Sequence, residues 1–195
     1  MSLRILGGDF RGRLLKSPKT PSTRPTLAVL RKAVFDILHN KIEDALFLDL
    51  FAGSGAMGIE ALSRGASHAT FIDNNSVAIR CLKENIQLLQ LEKYCSILSC
   101  SYKQALKQLV KKELQFDIAY IDPPYELSLK TTILQEIFAL FDNSCLIKPN
   151  GIVFIEETAH TQFELKSFTF ANMRKFSGTL LQQYQKKAPT KDPCL

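Results

Sequence analysis

The sequence predicts an α/β fold in which a mostly parallel sheet is covered by helices on both faces. From residue 46 onward, short apolar runs rich in β-branched and aromatic residues alternate with amphipathic stretches, which is the pattern of a buried parallel sheet. After residue 160 the pattern changes to two strand-like runs around Ser177-Gly178, which indicates an antiparallel hairpin at the sheet edge. A chain of 195 residues is long enough for one well-buried domain.

The first 45 residues are expected to form a separate N-terminal extension, residues 1–45. "RILGGDFRGRLL" places a Gly-Gly turn between apolar pieces and predicts a small hairpin. A connector rich in proline, serine and threonine follows it, and an amphipathic helix is predicted at 27–38.

The main domain is expected to span 46–188, with a flexible tail at 189–195. Its predicted strands are 46–51, 69–73, 95–100, 116–122 and 151–157. The helices predicted between them are 56–65, 76–90, 102–112 and 129–142. "KPNG" at 148–151 predicts a turn before the fifth strand.

Composition excludes several classes of protein. The chain is 46% hydrophobic and 23% charged, as soluble globular proteins are. It has no apolar run of membrane-spanning length and no signal-peptide core at its start. We therefore expect a cytoplasmic protein that does not contact membranes. The five cysteines form no CxxC pair and the three histidines are scattered, so neither a disulfide framework nor a metal site is predicted.

Charge is distributed unevenly along the chain. Residues 1–48 carry nine Lys/Arg and four Asp/Glu, and residues 166–195 carry six and one. The middle segment, 49–165, carries ten and fourteen. Basic ends that flank an acidic centre favour a polyanionic partner for the termini, although solvated lysines without a partner would give the same distribution.

A glycine loop follows the first strand of the main domain. Gly53, Gly55 and Gly58 satisfy the GxGxxG pattern of dinucleotide sites, and Asp73 ends the next strand, where it could bind ribose hydroxyls. Asp49 lies just before the loop, where a carboxylate would repel a pyrophosphate but attract an ammonium or sulfonium cation. S-adenosylmethionine (SAM) is therefore the predicted ligand. Alternatively, both aspartates would only hydrogen-bond nearby backbone.

The fourth strand ends in Asp122-Pro123-Pro124-Tyr125, a rigid corner that dinucleotide sites do not need. The Asp122 carboxylate and the Pro123 carbonyl could accept the two hydrogens of a nucleobase amine, and Tyr125 could stack on the extruded base. This arrangement predicts methyl transfer to an exocyclic amine, with Asp122, Pro123 and Tyr125 as the catalytic residues. An exposed Pro-Pro turn is the alternative.

With these residues in place, the chain resembles the RsmD-type 16S ribosomal RNA methyltransferases, which methylate N2 of guanine 966. The resemblance rests on "RILGGDFRGRLL", "RPT" at 24–26, "LDLFAGSGAMGIEALSRGA" at 48–66 and "IDPPYE" at 121–126. It implies a class I methyltransferase fold, with seven strands of which the last is reversed. The implied substrate is 16S RNA within the small ribosomal subunit or its assembly intermediate.

The resemblance and the motifs together give two sets of candidate residues. The cofactor set is Asp49, Phe51, Ala52, Gly53, Ser54, Gly55, Gly58, Asp73, Asn74, Ser101 and Asp122. The RNA set is Arg4, Arg11, Arg13, Arg24, Arg31, Pro124 and Tyr125. The family's charged pattern after "RPT" is replaced here by residues 28–32, of which Arg31 alone is retained.

Two other functions are compatible with these residues. The same chemistry could act on adenine N6 or cytosine N4 in DNA, although the chain has no room for a sizeable target-recognition domain. A non-catalytic assembly factor could hold SAM or a nucleotide without turnover, but it would not need the amine-binding corner. We expect a monomer, because a domain of this size can complete such a site alone.

Overall fold

The computed structural model describes residues 3–17, 25–123, 127–158, 163 and 165–188. The extension contains strands β1 (Leu3–Arg4) and β2 (Leu14–Leu15) and helix α1 (Pro25–Ile37). The main sheet contains β3 (Leu46–Leu50), β4 (His68–Asp73), β5 (Cys95–Ser99), β6 (Phe116–Ile121), β7 (Ile147–Glu157), β8 (Phe168–Phe176) and β9 (Thr179–Lys186). The remaining helices are α2 (Ala56–Ser63), α3 (Ser76–Leu89), α4 (Tyr102–Lys111) and α5 (Leu127–Asp142).

The seven-stranded sheet has the order β5-β4-β3-β6-β7-β9-β8. The first five of these strands are parallel, and β9 runs antiparallel to both of its neighbours, β7 and β8. The predicted hairpin around Ser177-Gly178 is confirmed, and β9 is the reversed last strand. The sequence order changes direction between β3 and β6, which is where open α/β sheets bind ligands.

Apolar side chains cover both faces of the sheet, as the continuous apolar runs predicted. Alternate residues of one strand point to opposite faces: Phe47 joins the cluster that faces α1, α2 and α3, and Leu48 joins the one that faces α4 and α5. None of the described helices is long and apolar enough to cross a membrane.

One predicted element is wrong. The segment 148–151 is part of β7, where it forms a bulge, and is not a turn that precedes the strand. Pairing with β6 passes from Phe116–Ile147 to Ile118–Ile152, and Asn150 has a φ of 63°. A proline and an asparagine-glycine pair can interrupt a strand without ending it, and the sequence pattern does not separate the two cases.

The extension packs against α2 through two buried polar side chains. The Leu6 N–H donates to Glu60 Oε2 (2.8 Å), and Glu60 Oε1 also pairs with Arg64 Nε (2.8 Å). The Ser63 hydroxyl donates to the Gly7 carbonyl (2.6 Å) and accepts from the Phe10 N–H (3.0 Å). Because Ile5, Leu15 and Leu30 also join the cluster around Phe47, the extension shares the core of the main domain.

Asn85 of α3 connects the end of β2 to the loop that follows β3. Its side-chain amide accepts from the Lys16 N–H (2.7 Å) and donates to the Lys16 carbonyl (3.0 Å) and the Ser54 carbonyl (2.9 Å). The Asn85 side chain is fully buried, so water cannot replace these bonds easily. It therefore fixes the extension relative to the glycine loop.

We predict that Asn85→Ala lowers the free energy of unfolding by about 1–3 kcal/mol, because the partly buried backbone groups of Lys16 and Ser54 lose their partner. Urea denaturation measures this loss, and hydrogen exchange at the Lys16 amide reports the local opening. Gln87→Ala, at an exposed position of the same helix, is the matched control and should stay within about 0.5 kcal/mol of the parent. Unchanged protection of the Lys16 amide would contradict this account of Asn85.

Candidate active site

A cavity of about 210 Å³ lies at the carboxyl ends of β3, β6 and β7. Part of its lining comes from the sheet and the residues that follow β3, and part comes from the extension, including α1. The sheet, the glycine loop and the start of α2 contribute Asp49, Phe51, Ala52, Gly53, Ser54, Ala56, Met57, Tyr120, Asp122 and Glu156, and the extension contributes Leu3, Ser17, Leu30 and Arg31. Six predicted cofactor residues are therefore brought together around one space: Asp49, Phe51, Ala52, Gly53, Ser54 and Asp122.

Three carboxylates form an acidic row across three neighbouring strands: Asp49 on β3, Asp122 after β6 and Glu156 on β7. The register pairs Asp49 with Tyr120, and Ile121 with Ile155, so the row lies on one face of the sheet. Asp49 and Glu156 are buried, and Asp122 is partly buried. The Tyr120 hydroxyl donates to Glu156 Oε2 (2.6 Å).

Burial makes it costly for the acidic row to be ionised. It raises the pKa of Asp49 to about 7, although the Gly58 N–H hydrogen bond (2.9 Å) opposes this shift. Burial also raises the pKa of Asp122, and the nearby Glu156 raises it further. The pKa of Glu156 is raised by burial, against the lowering effects of the Tyr120 hydroxyl and Lys130. A cationic ligand in the cavity would lower all three pKa values.

The glycine loop is shaped by two different requirements. Gly55 is the N-cap of α2 in a left-handed conformation (φ 81°), and a Cβ there would lie 2.3 Å from Leu82 Cδ1. A Cβ at Gly58 would lie 2.3 Å from Phe71 Cε1, so this glycine allows α2 to pack on β4. Beside the cavity, Phe51 holds a φ of 62°, a conformation that non-glycine residues adopt infrequently and mostly where the surrounding structure holds them.

Asp73 is placed to support the loop rather than to line the cavity. Its Oδ2 accepts from the Gly53 N–H (2.8 Å) and its Oδ1 accepts from the Asn75 N–H (2.8 Å). Asp49 likewise accepts from the Gly58 N–H. The backbone hydrogen bonds expected in the alternative interpretation are thus present at both aspartates. Asp49 nevertheless also borders the cavity.

Asn74 and Ser101 are not among the residues that line the cavity. Asn74 is exposed after β4. Ser101 is the N-cap of α4, where its Oγ accepts from the Gln104 N–H (3.4 Å). Contact of these two residues with a cofactor stays a prediction.

The arginines predicted to contact RNA are in two different environments. Arg4, Arg11 and Arg13 are exposed on the extension. Arg31 differs from them, because its side chain is only 3% exposed and lines the cavity, and its contact with RNA stays a prediction. Arg31 Nε is 3.4 Å from Glu60 Oε2, and Arg31 Nη2 donates to the Arg4 carbonyl. The Arg31 side chain therefore holds the extension against α2.

Several predictions fall outside the described residues: Arg24, Pro124, Tyr125 and the tail 189–195. Pro123 is described and is buried directly beside Asp122. Within the described ranges, no group of three or more His, Cys, Asp or Glu side chains could hold a metal ion.

Sequence reasoning missed the residues that close the cavity. Leu3, Ser17 and Leu30 line it from the extension, and no local pattern distinguishes them from ordinary residues of a hairpin or helix. Glu156 is the last but one residue of the fifth predicted strand, near the edge where ligands bind, and its position was the available signal. Tyr120 was hidden within an apolar strand.

Comparisons with known proteins agree with this geometry. A family model described as "Conserved hypothetical protein 95" matches residues 3–185. "Ribosomal RNA small subunit methyltransferase D" of Escherichia coli K12 is 34% identical over 154 residues, which are 79% of this chain and 74% of that protein.

The chain belongs to the RsmD family.

Solved structures confirm that this RsmD-family chain has the class I methyltransferase fold. The E. coli protein yhhF has a TM-score of 0.81 and 28% identity, and the match covers 96% of this chain and 99% of yhhF. SMU.776, solved in complex with S-adenosylhomocysteine (SAH), shares the fold with a TM-score of 0.66 at 14% identity. The match covers 80% of this chain and 49% of SMU.776.

We predict that Asp49→Asn stabilises the ligand-free protein at alkaline pH. Because the folded pKa is about 7 and the ordinary value is 3.8, the folded state holds a proton that the unfolded state releases. The parent protein therefore loses stability as pH rises from about 4 to 7, whereas the variant does not. The gain above pH 7 should be at most about 4 kcal/mol.

Thermal unfolding of both proteins between pH 5 and pH 8 measures this difference. Asp9→Asn, at an exposed position, is the control and should show no pH-dependent gain. A difference between Asp49→Asn and the parent that stays constant with pH would show that Asp49 is not a buried, proton-binding carboxyl.

Proposed function

We propose that this protein transfers a methyl group from SAM to the exocyclic N2 amine of a guanine in 16S ribosomal RNA. The observation that carries the proposal is the acidic row beneath the glycine loop, where Asp49 and Asp122 border the same cavity. The E. coli relative is named a ribosomal RNA small subunit methyltransferase, which supports ribosomal RNA as the substrate class.

The residues around the cavity fit SAM. Asp49 is a buried carboxylate with a raised pKa, and a cationic amino-acid end would stabilise its ionised form. The backbone of Gly53 and Ser54 borders the same space. Asp73 does not line the cavity, but it supports the loop there and keeps lone pairs for ribose hydroxyls while it accepts from two backbone N–H groups. SAM supplies an electrophilic methyl group on a sulfonium.

Asp122 and Pro123 would prepare the amine for attack. The Asp122 carboxylate and the Pro123 carbonyl accept its two hydrogens, which turns the nitrogen lone pair toward the methyl carbon. As the new N–C bond forms and the C–S bond breaks, positive charge develops on the nitrogen and Asp122 stabilises it. One amine proton then passes to Asp122 or to water. Tyr125 is proposed to stack on the base and hold it.

The extension would position the RNA over this cavity. Arg4, Arg11 and Arg13 are exposed on it, while Leu3 and Ser17 of the same segment line the cavity. Phosphate contacts made by these arginines would thus lie close to the reacting base. The substrate is proposed to be 16S RNA in the small subunit or its assembly intermediate, bound by a monomer in the cytoplasm.

The direct test is transfer of labelled methyl from SAM to small ribosomal subunits from a strain that lacks its own enzyme. Mass spectrometry of the modified nucleotide should find N2-methylguanine at one position. Labelled adenine or cytosine in DNA, without incorporation into subunits, would contradict the RNA assignment. SAM binding without transfer to either substrate would indicate a non-catalytic assembly factor.

We predict that Asp122→Asn lowers kcat by roughly 10²-fold or more, because the neutral amide neither accepts a proton nor stabilises the developing charge. Calorimetry should show that the variant still binds SAM, since Asp49 and the glycine loop are unchanged. Glu113→Gln, in an exposed loop before β6, is the control and should keep the parent rate. Full activity of Asp122→Asn would exclude its role as the amine acceptor.

We predict that Arg11→Ala and Arg13→Ala each weaken binding to RNA and reduce its salt dependence. Each lost phosphate contact should reduce the slope of log K against log salt by roughly 0.7–0.9. Filter binding at several salt concentrations measures the slope. Lys112→Ala, an exposed position at the end of α4, should leave it unchanged, and an equal effect of all three variants would indicate nonspecific attraction.

A further inference from the structure

We propose that Glu156 selects guanine by accepting the N1–H of the base while Asp122 holds its N2 amine. This inference rests on the proposed function and adds a specificity-determining residue to it. Glu156 lines the cavity with Asp122 and Asp49, but neither cofactor binding nor amine activation as derived above needs a third carboxylate.

The fold fixes the position of Glu156 relative to the amine-binding corner. β6 and β7 are adjacent parallel strands with Ile121 opposite Ile155, so the next residues, Asp122 and Glu156, also face each other across the strands. Neighbouring strands lie about 4.8 Å apart. Two hydrogen-bonding groups of one base edge could therefore be met by these two carboxylates at once.

The orientation of the Glu156 side chain is also constrained. It is 3% exposed, and its Oε2 accepts from the buried Tyr120 hydroxyl at 2.6 Å. A carboxylate has about four lone-pair sites, so this bond leaves acceptor capacity toward the cavity. If Glu156 had a purely structural role, an amide oxygen could accept from Tyr120 equally well.

The chemistry of the bases makes an acceptor at this place selective. Guanine presents N1–H directly beside its N2 amine, so a carboxylate facing N1 accepts a hydrogen. Adenine and cytosine present an unprotonated ring nitrogen beside their amines, so the same carboxylate would face a lone pair. A site that is built for one hydrogen-bond pattern rejects the base that leaves its buried polar groups unpaired.

Glu156 must be ionised to act in this way, although burial raises its pKa in the ligand-free protein. Lys130 and the Tyr120 hydroxyl favour the carboxylate form of Glu156, whereas burial opposes it. Asp122 lies beside it and Asp49 is on the next strand along the row. The sulfonium charge of the proposed cofactor would favour ionisation of the whole row.

The test compares guanine with 2-aminopurine, which keeps the N2 amine but has no hydrogen on N1. Small subunits are reconstituted with 16S RNA in which the guanine methylated by the parent enzyme is replaced by 2-aminopurine. We expect the parent to prefer guanine by roughly 10²-fold in kcat/KM. Glu156→Gln should lower kcat/KM on guanine and reduce the preference to below about 10-fold, because an amide can also donate to N1.

Two further variants separate the role of the Glu156 side chain from a general effect of mutation in β6 and β7. Glu157→Gln changes the neighbouring carboxylate on the opposite face of β7 and should retain the parent preference. Tyr120→Phe removes only the hydroxyl that orients Glu156. It should reduce the preference for guanine over 2-aminopurine without abolishing SAM binding. Calorimetric SAM affinity close to that of the parent shows that each variant is folded and that its cofactor site is intact.

The remaining outcomes distinguish a failure of the role given to Glu156 from a failure of the proposed function. An unchanged preference in Glu156→Gln, with SAM affinity intact, would overturn the role of Glu156 and leave the proposed function standing. So would a parent enzyme that methylates 2-aminopurine as well as guanine, which is the result expected if Glu156 donates a proton to N1. No methylation of guanine by the parent would overturn the proposed function itself.

Discussion

The burial of three carboxylates on one face of the sheet is the constraint on which the site depends. Asp49, Asp122 and Glu156 come from three neighbouring strands, and burial raises the pKa of each. In the ligand-free protein this arrangement opposes stability, because charges leave water with few partners. The Gly58 N–H and the Tyr120 hydroxyl offset part of the cost. A bound cation and the hydrogen-bond donors of a base edge would offset more of this cost. The carboxylates that destabilise the ligand-free protein are thus the groups proposed to bind its ligands.

The extension supplies the rest of the lining of the cavity that the acidic row borders. Leu3 and Arg31 line the same cavity as the row, and buried Glu60, Ser63 and Asn85 attach the extension to α2 and α3. Since Asn85 also bonds to the Ser54 carbonyl, the segment proposed to contact RNA and the loop proposed to contact SAM are held by one side chain. The family relationship fits this arrangement, because the matched region begins within the extension, at residue 3.

Sequence patterns predicted the parallel sheet, the antiparallel hairpin of β8 and β9 and the place of the glycine loop, because apolar period and glycine spacing are local properties. The reversed last strand was implied by the family resemblance. The sequence patterns also predicted that Asp49 and Asp122 lie together at the ligand-binding edge of the sheet, since strand ends are recognisable in the sequence. They did not predict that Arg31 is buried by an ion pair with Glu60, or that Leu3 lines the cavity. Those facts depend on how the extension packs, and residues far apart in the chain determine it. The bulge at 148–151 was missed because its residues also suit a turn.

If the acidic row receives a cation, SAM binding should release protons from its carboxyl groups. Calorimetric titrations near pH 7, in buffers of different ionisation enthalpy, measure the number of protons released. SAH is the matched control, because it lacks the sulfonium charge. We expect SAM to release more protons than SAH, and Asp49→Asn to reduce this difference. Equal proton release by SAM and SAH would contradict this expectation.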